Sequence, residues 1–479
     1  MKITYFSTLL YLENLIKFRV FPFKIKAFYN FSTLSIVPIT FTPATANIIY
    51  LIKTKKQEKK YYEFFTQKNF IIPSLFIFRE EQAPPLPYYL LFQLSEDFYM
   101  IVYFDKQTLL NYLTPATYTV SNRATIPSLE GFHLVCTYDN ICKVETFDNE
   151  KGIKTKFECR VEEEGNCVID AQKFLQIIKT LPDGEIKVTV DANFKTVIES
   201  GPSHFDIKAL PGEDYPSIPD IVGDRGFIIP QYLFKKLVNK ISFAIAQNDS
   251  RPVFSGAYFQ ITKDTMTLVS CDSNRLAFCE KQIELENRNK DGSSLNLKFI
   301  VPGKTLSDVI KMIRDSEDDM EIKVTRRYVV FKIGEFTLFS KTIDSEYINY
   351  ERLLPKDHKI VTYLKAEELR GALERSSLIV EDRLNGSIRS FVKFTIDEVL
   401  SISTNSSNGN VYDEIEIKTE GGSIVIAFNC KFLLDAIRVC EDGEIKMSYS
   451  NPFSGVLIEP QNKEEGTYKY FVMPIRMNN

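Results

Sequence analysis

Histidine is almost absent, at three residues (His133, His204 and His358), and none of the eight cysteines forms a Cys-x-x-Cys pair. Zinc sites draw on His and Cys at close spacing, so no metal is expected, and no cofactor either. The cysteines lie between 136 and 440 and read as buried free thiols in a reducing cytosol, which points to a cytoplasmic protein. No Arg-flanked apolar run with a cleavage site opens the chain, so no signal peptide is read. A P-loop and a nucleophile–base pair are also missing, which removes the usual grounds for an enzyme.

What is present is ordinary in amount and uneven in distribution. The 44% apolar and 25% charged residues suit a soluble globular protein, and 479 residues suit about three domains. The formal charge of −4 hides a division. Residues 1–99 carry 12 Lys and Arg against 7 Asp and Glu, leaving 47 basic and 56 acidic residues for 100–479. An acidic body argues against a generic nucleic-acid binder, so the placement of the basic residues matters more than their number.

Residues 1–99 differ from the rest. They hold 23 of the 61 aromatics, a lysine-rich patch around Lys55 and Lys59, and the run Pro84-Pro85-Leu86-Pro87. The uncharged stretch 27–52 has the length of a membrane span, but its prolines, asparagines and hydroxyl residues argue against one. An irregular extension and a start assigned too far upstream both remain open, and the second is the favoured expectation. Met100 begins a strand-like run that leads into the first of three repeats.

The repeat is an amphipathic helix, a polar turn and a strand opening on Glu-Ile-Lys. Residues 171–181 lead to Glu185, 305–314 to Glu321, and 431–439 to Glu444, in steps of 136 and 123 residues. A period this long is a whole domain, not a solenoid unit. The expected domains are 100–222, 223–355 and 356–479. Each has a second, earlier helix: 104–113, stopped by Pro115, then 231–246, then 365–379. Short alternating strands outnumber helices, so the fold class is α+β with two helices on antiparallel sheets in each domain. The six helices sum to +7, which leaves −16 on the remainder of 100–479. If they share one surface, it attracts a phosphate backbone and the outside repels it. None of them offers a base-reading constellation.

Four stretches carry a family resemblance: Leu210-Pro211-Gly212-Glu213-Asp214-Tyr215-Pro216, Cys271-Asp272-Ser273-Asn274-Arg275-Leu276-Ala277, Tyr350-Glu351-Arg352-Leu353-Leu354-Pro355, and Phe471-Val472-Met473-Pro474-Ile475-Arg476-Met477. In this order the chain from Met100 onward resembles the bacterial β sliding clamp, the processivity subunit of DNA polymerase III. The resemblance implies a head-to-tail homodimer, a closed ring whose helices surround duplex DNA without reading sequence. Its output is a tether that raises the effective concentration of the polymerase at the primer end. The implied partners are duplex DNA, the replicative polymerase, the clamp loader and repair proteins, the proteins docking through short Leu- and Phe-containing motifs. A non-catalytic scaffold for repair partners is the alternative.

The resemblance also assigns residues. The partner-peptide pocket takes Phe254, Cys271, Ser273, Asn274, Arg275 and Leu276, then Ile348, Arg352 and Leu353, then Val456, Phe471, Val472, Met473, Pro474, Ile475, Arg476 and Met477. Such a pocket is an apolar groove with polar groups that fix a peptide backbone. The family often has Gly-His at Ser273-Asn274 and Pro at Ile348, which bears on motif preference. DNA contacts fall on Arg123, Asn248 and Arg251, and the helices add Lys173, Lys179, Lys235, Lys236, Lys240, Lys304, Lys311, Lys431 and Arg438. Pro252 and Val253 replace two family aromatics, so a stacking contribution is lost there. The ring-closing interface takes Phe205 and Ile207 against Leu378 and Ile379. A metal-dependent nuclease built on the acidic runs 162–164 and 315–319 is the remaining enzyme reading. Both runs sit in turns and neither recurs across the repeats.

Overall fold

The computed structural model describes residues 98–121, 124–355, 357–380, 391–440, 443–462 and 467–477, together with the strands Leu34–Val37 and Leu51–Thr54, which pair antiparallel. Residues 96–479 fall in one compact unit. The expectation of a misplaced start falls outside the described residues. The continuous chain begins with the strand Phe98–Asp105, two residues before Met100.

Six α-helices occur among the described residues: α1 (Lys106–Ala116), α2 (Ala171–Thr180), α3 (Gln231–Ser242), α4 (Gly303–Met312), α5 (Ala366–Ser377) and α6 (Cys430–Arg438). They pack as the pairs α1–α2, α3–α4 and α5–α6. Side-chain caps start three of them. Asp105, Asp170 and Asn429 accept from the backbone N–H of Thr108, Lys173 and Phe432 at 2.8, 2.7 and 3.2 Å. Pro115 does not stop α1. It sits in the last turn, where its missing N–H costs one ladder bond, and the chain runs on through Ala116 into a 3-10 turn. The helix expected over 231–246 ends at Ser242.

Among the described residues from 98 onward, the strands form four antiparallel sheets of 5, 10, 9 and 4 strands. The ten-stranded sheet is continuous because Lys151–Glu158 pairs with Phe336–Lys341, with Gly152 opposite Phe339. A Cβ at Gly152 would lie 2.5 Å from the Phe339 ring and 2.7 Å from a backbone oxygen, so only glycine fits this join. The nine-stranded sheet is joined in the same way, by Arg275–Gln282 against Thr467–Val472. The five-stranded sheet ends on Ser203–Lys208 and the four-stranded sheet on Gly409–Glu416.

Each helix pair packs between two sheets. Helix α1 touches Phe98–Asp105 of the five-stranded sheet and Lys151–Glu158 of the ten-stranded one, and α5 bridges the nine- and four-stranded sheets. The buried faces of α1 and α2 close one core around Phe104, Phe132 and Phe174. The other four helices share a second, larger core that includes Phe234, Phe259, Phe394 and Phe428. No helix among the described residues is long and apolar enough to cross a membrane.

Candidate partner pocket and nucleic-acid interface

Alternation along four neighbouring strands builds an apolar row. Cys271 pairs with Leu276 across a hairpin, Leu276 pairs with Phe471 across the sheet join, and Phe471 pairs with Leu457. Phe254, Val269, Cys271 and Leu276 form a small buried cluster, covered by Ile348, Tyr258, Phe278, Tyr347, Tyr350, Leu354 and Phe471 among others. The cluster therefore joins one domain, the linker after it and the last strand of the chain. Gly455 lets the Phe471 ring lie flat against its neighbour strand, since a Cβ there would meet the ring at 2.5 Å.

The same alternation removes two expected lining residues. Val472 and Val456 face one another on the opposite face of the sheet, fully buried with Tyr470 in the larger core. Side chains one residue apart point to opposite faces, so Phe471 and Val472 cannot both line the groove. Conversely, Val269 and Phe278 lie two residues from Cys271 and Leu276 and join the cluster. That period was readable. The contributions of Tyr258, Tyr347, Tyr350 and Leu354 depend on tertiary packing.

Arg275 is also placed differently from the expectation. It is 9% exposed, and it donates to Asp272 and, across the domain join, to Asp435 on α6, both at 2.8 Å. Its guanidinium lies 4.6 Å from the Phe432 ring centroid and 5.4 Å from that of Phe243. It holds the pocket's turn instead of facing a ligand. Within that turn Ser273 has a φ of 76°, a left-handed backbone that costs an L-residue about 1–2 kcal/mol. Glycine would bear no such strain.

The rim is polar and partly open. Met473, 40% exposed, donates its N–H to Asn274 at 2.8 Å, and Ile475 donates to Ala427 at 2.8 Å. Pro474 forms a bridge with Phe428, so 473–475 lies between the turn and the four-stranded sheet. Leu353 is 47% exposed, Arg352 and Arg476 are exposed, and Met477 is half-buried. A cavity of about 490 Å³ lies beside the cluster, lined by Tyr258, Ile300, Tyr347, Ile348 and Tyr350 among others. Burial pushes the Cys271 thiol and the Tyr347 phenol up, so both stay protonated and serve as lining. Among the described residues no group of three or more His, Cys, Asp or Glu could hold a metal. Asp315 of the second acidic run pairs with Lys235 at 2.8 Å, and Glu162 of the first accepts from Tyr103 at 2.9 Å.

The basic residues divide in two. Lys173, Lys179, Lys236, Lys304, Lys311, Lys431 and Arg438 are exposed on α2, α3, α4 and α6. Lys240 is not. It is buried, with its Nζ 5.1 Å from the Tyr468 ring centroid. Lysine buries its stem readily, and here the helix face turns the head inward too. Arg251 is held by Asp249 through two 3.0 Å bonds, hydrogen-bonds Ser273, and lies over Phe254. It therefore belongs to the pocket rim. Asn248 is exposed beside it, and Arg123 lies outside the described residues. Phe205 and Ile207 are half-buried on the edge strand Ser203–Lys208, and Leu378 is 79% exposed just past α5. Ile379 lies near the other edge strand, its carbonyl accepting from Ser406 at 2.7 Å.

Three family models match in chain order: the N-terminal domain of the DNA polymerase III beta subunit over 100–219, the central domain over 228–349 and the C-terminal domain over 351–476. The chain belongs to the DNA polymerase III beta subunit family. It is 28% identical over 386 residues to the beta sliding clamp of Bacillus subtilis, covering 78% of this chain and 98% of that one. It is 27% identical over 377 residues to that of Staphylococcus epidermidis, covering 77% and 97%. Among solved structures, the Bacillus subtilis sliding clamp superposes with a TM-score of 0.73 at 27% identity, covering 79% of this chain and all of that one. The beta subunit from Thermotoga maritima gives 0.70 at 27%, with the same coverage. The family's three domains each set helices on sheets, as this chain does.

Proposed function

We propose that two copies of the chain close head to tail into a ring around duplex DNA, with partner proteins docking in the apolar groove at Leu276 and Phe471. As a DNA polymerase III beta subunit the chain is the processivity clamp of the replicative polymerase, a tether and not a catalyst. The observation that carries the ring is the sheet count. Inside the chain, each join pairs the last strand of one sheet half with the strand after a hairpin in another. The two unpaired counterparts are the edges Ser203–Lys208 and Gly409–Glu416, on sheets of 5 and 4 strands. Joined between copies they make a nine-stranded sheet like the one at the second internal join. Exposed edges of this kind otherwise invite aggregation. Phe205, Ile207, Leu378 and Ile379 supply apolar cover beside that join.

In the groove, Phe254, Cys271, Leu276, Ile348 and Phe471 receive the Leu and Phe of a short motif, and Ser273, Asn274, Met473 and the 474–477 segment border its backbone. Exposed Lys173, Lys179, Lys236, Lys304, Lys311, Lys431 and Arg438 face the phosphates. The proposed domain limits are 100–222, 223–355 and 356–479. Primer extension on a circular template tests the function. Adding the chain and a clamp loader should lengthen the product made per binding event. A Leu276→Asp chain should lose that gain. Equal product lengths with and without the chain would refute the reading.

A further inference from the structure

The first domain gathers four cysteines on the inner face of one sheet. Cys136 and Cys142 are direct cross-strand partners, and Cys167 pairs with Leu134 on the other side of the same strand. Phe157 pairs with Cys142, so Cys159, two residues further along, falls on the same face. The Cys159 N–H donates to Asn140 at 2.9 Å, which closes the sheet at the hairpin turn. Cys136, Cys142 and Cys167 are buried, whereas Cys159 is half-buried. It also occupies the corner where the chain leaves the ten-stranded sheet for the five-stranded one.

We propose that Cys159 is a peroxide-reactive thiol whose oxidised form is resolved by one of the two buried thiols on the same sheet face, Cys136 or Cys142. The Cys159 thiolate attacks one oxygen of hydrogen peroxide. The O–O bond breaks, the sulfur becomes a sulfenic acid, and hydroxide leaves. The neighbouring thiol then attacks that sulfur. An S–S bond forms, the S–OH bond breaks, and the thiol proton leaves with the hydroxide as water. The arrangement suits both steps. The neighbouring thiols Cys136 and Cys142 hold Cys159 well below its ordinary pKa, against opposing pushes from burial and from Asp139. Hydrogen bonding to its thiol neighbours and burial push Cys142 well above its own, so the resolving sulfur stays a thiol until the sulfenic acid forms. The product would staple the crossover between the two sheets of the first domain.

The test is peptide mapping of the full chain after brief treatment with hydrogen peroxide, digested by trypsin without reductant. Cys136 and Cys142 share the peptide 124–143, and Cys159 lies in 157–160. The expected product is these two peptides joined, lighter than their sum by two hydrogens. Cys159→Ser should slow thiol loss by about tenfold, and Cys167→Ser should leave it unchanged. Because a serine variant can misfold, the wild-type chain is also treated with a 1,3-diketone trap, which should label Cys159 and suppress the joined peptide. Overoxidised Cys159 without a link, an internal Cys136–Cys142 bridge with Cys159 free, or no thiol loss would each overturn the assignment.

Discussion

Arg275 reaches Asp435 at 2.8 Å, and the pair spans a domain join inside the chain. The other internal join has the same device. Lys151, one residue before the join glycine, pairs with Asp308 on α4, both largely buried. In each case a cation beside the hairpin meets a carboxylate five residues into the second helix of the next domain. At the proposed join between copies the matching positions are Asn408 and Gln176, both uncharged. That join lacks the pin that its two counterparts have.

Removing Arg275 should be costly. Arg275→Ala leaves Asp272 and Asp435 facing one another in a partly buried site, and breaking such a pair costs about 3–5 kcal/mol. Thermal unfolding should show a large fall in Tm, and peptide affinity should fall with it because the turn at Ser273 loses its anchor. A Tm within a degree of wild type would contradict the placement.

Restoring the pin between copies should strengthen the dimer. The double variant Asn408→Arg with Gln176→Asp should bind its own copy more tightly than either single variant, with a coupling of about 1.5 kcal/mol or more. Sedimentation at falling concentration reads this directly. Strict additivity of the two changes would mean the positions do not meet.

The lysines separate by burial. Changing exposed Lys236, Lys304 or Lys431 to Ala should weaken DNA retention and lower the salt slope by about 0.9 for each phosphate left unneutralised. Lys240→Ala should instead lower stability and leave the slope alone, since its head lies against Tyr468. A salt slope that responds to Lys240 would show that this side chain reaches DNA after all.

Glu145 links the first domain's stability to pH. A hydrogen bond from His133 at 3.1 Å, aided by Lys154, holds its carboxyl below the usual range despite partial burial. A depressed folded-state pKa contributes stability that is complete above the unfolded value, about 4.3, and is lost as pH falls through the folded value. Wild type should therefore exceed Glu145→Gln in Tm at neutral pH, and the gap should close between about pH 4.3 and the lower folded value. A gap that stays constant down to pH 3 would contradict the assignment.

The organisation was legible where local pattern and tertiary structure agree. The helix, turn and Glu-Ile-Lys strand recur at 185, 321 and 444 because each repeat must bury one apolar helix face on a sheet. The apolar row Cys271–Leu276–Phe471 was legible only through the family resemblance, since its members lie on strands nearly 200 residues apart. Strand alternation, applied to 469–473, would have kept Val472 out of the groove. The roles of Arg275 and Lys240 were not legible. A charged residue reads as exposed until its partners, Asp435 and Tyr468, arrive from another domain. Pro115 misled because its position in the last turn, which makes it tolerable, is not marked in the sequence.

Ring closure is decided by topology. The chain loaded on nicked circular duplex DNA should stay bound through gel filtration at moderate salt and be released when the circle is cut once. Phe205→Asp with Ile207→Asp should abolish retention on the circle while leaving peptide binding intact. Equal retention on circular and linear DNA, or retention by that double variant, would contradict a closed ring joined at Ser203–Lys208.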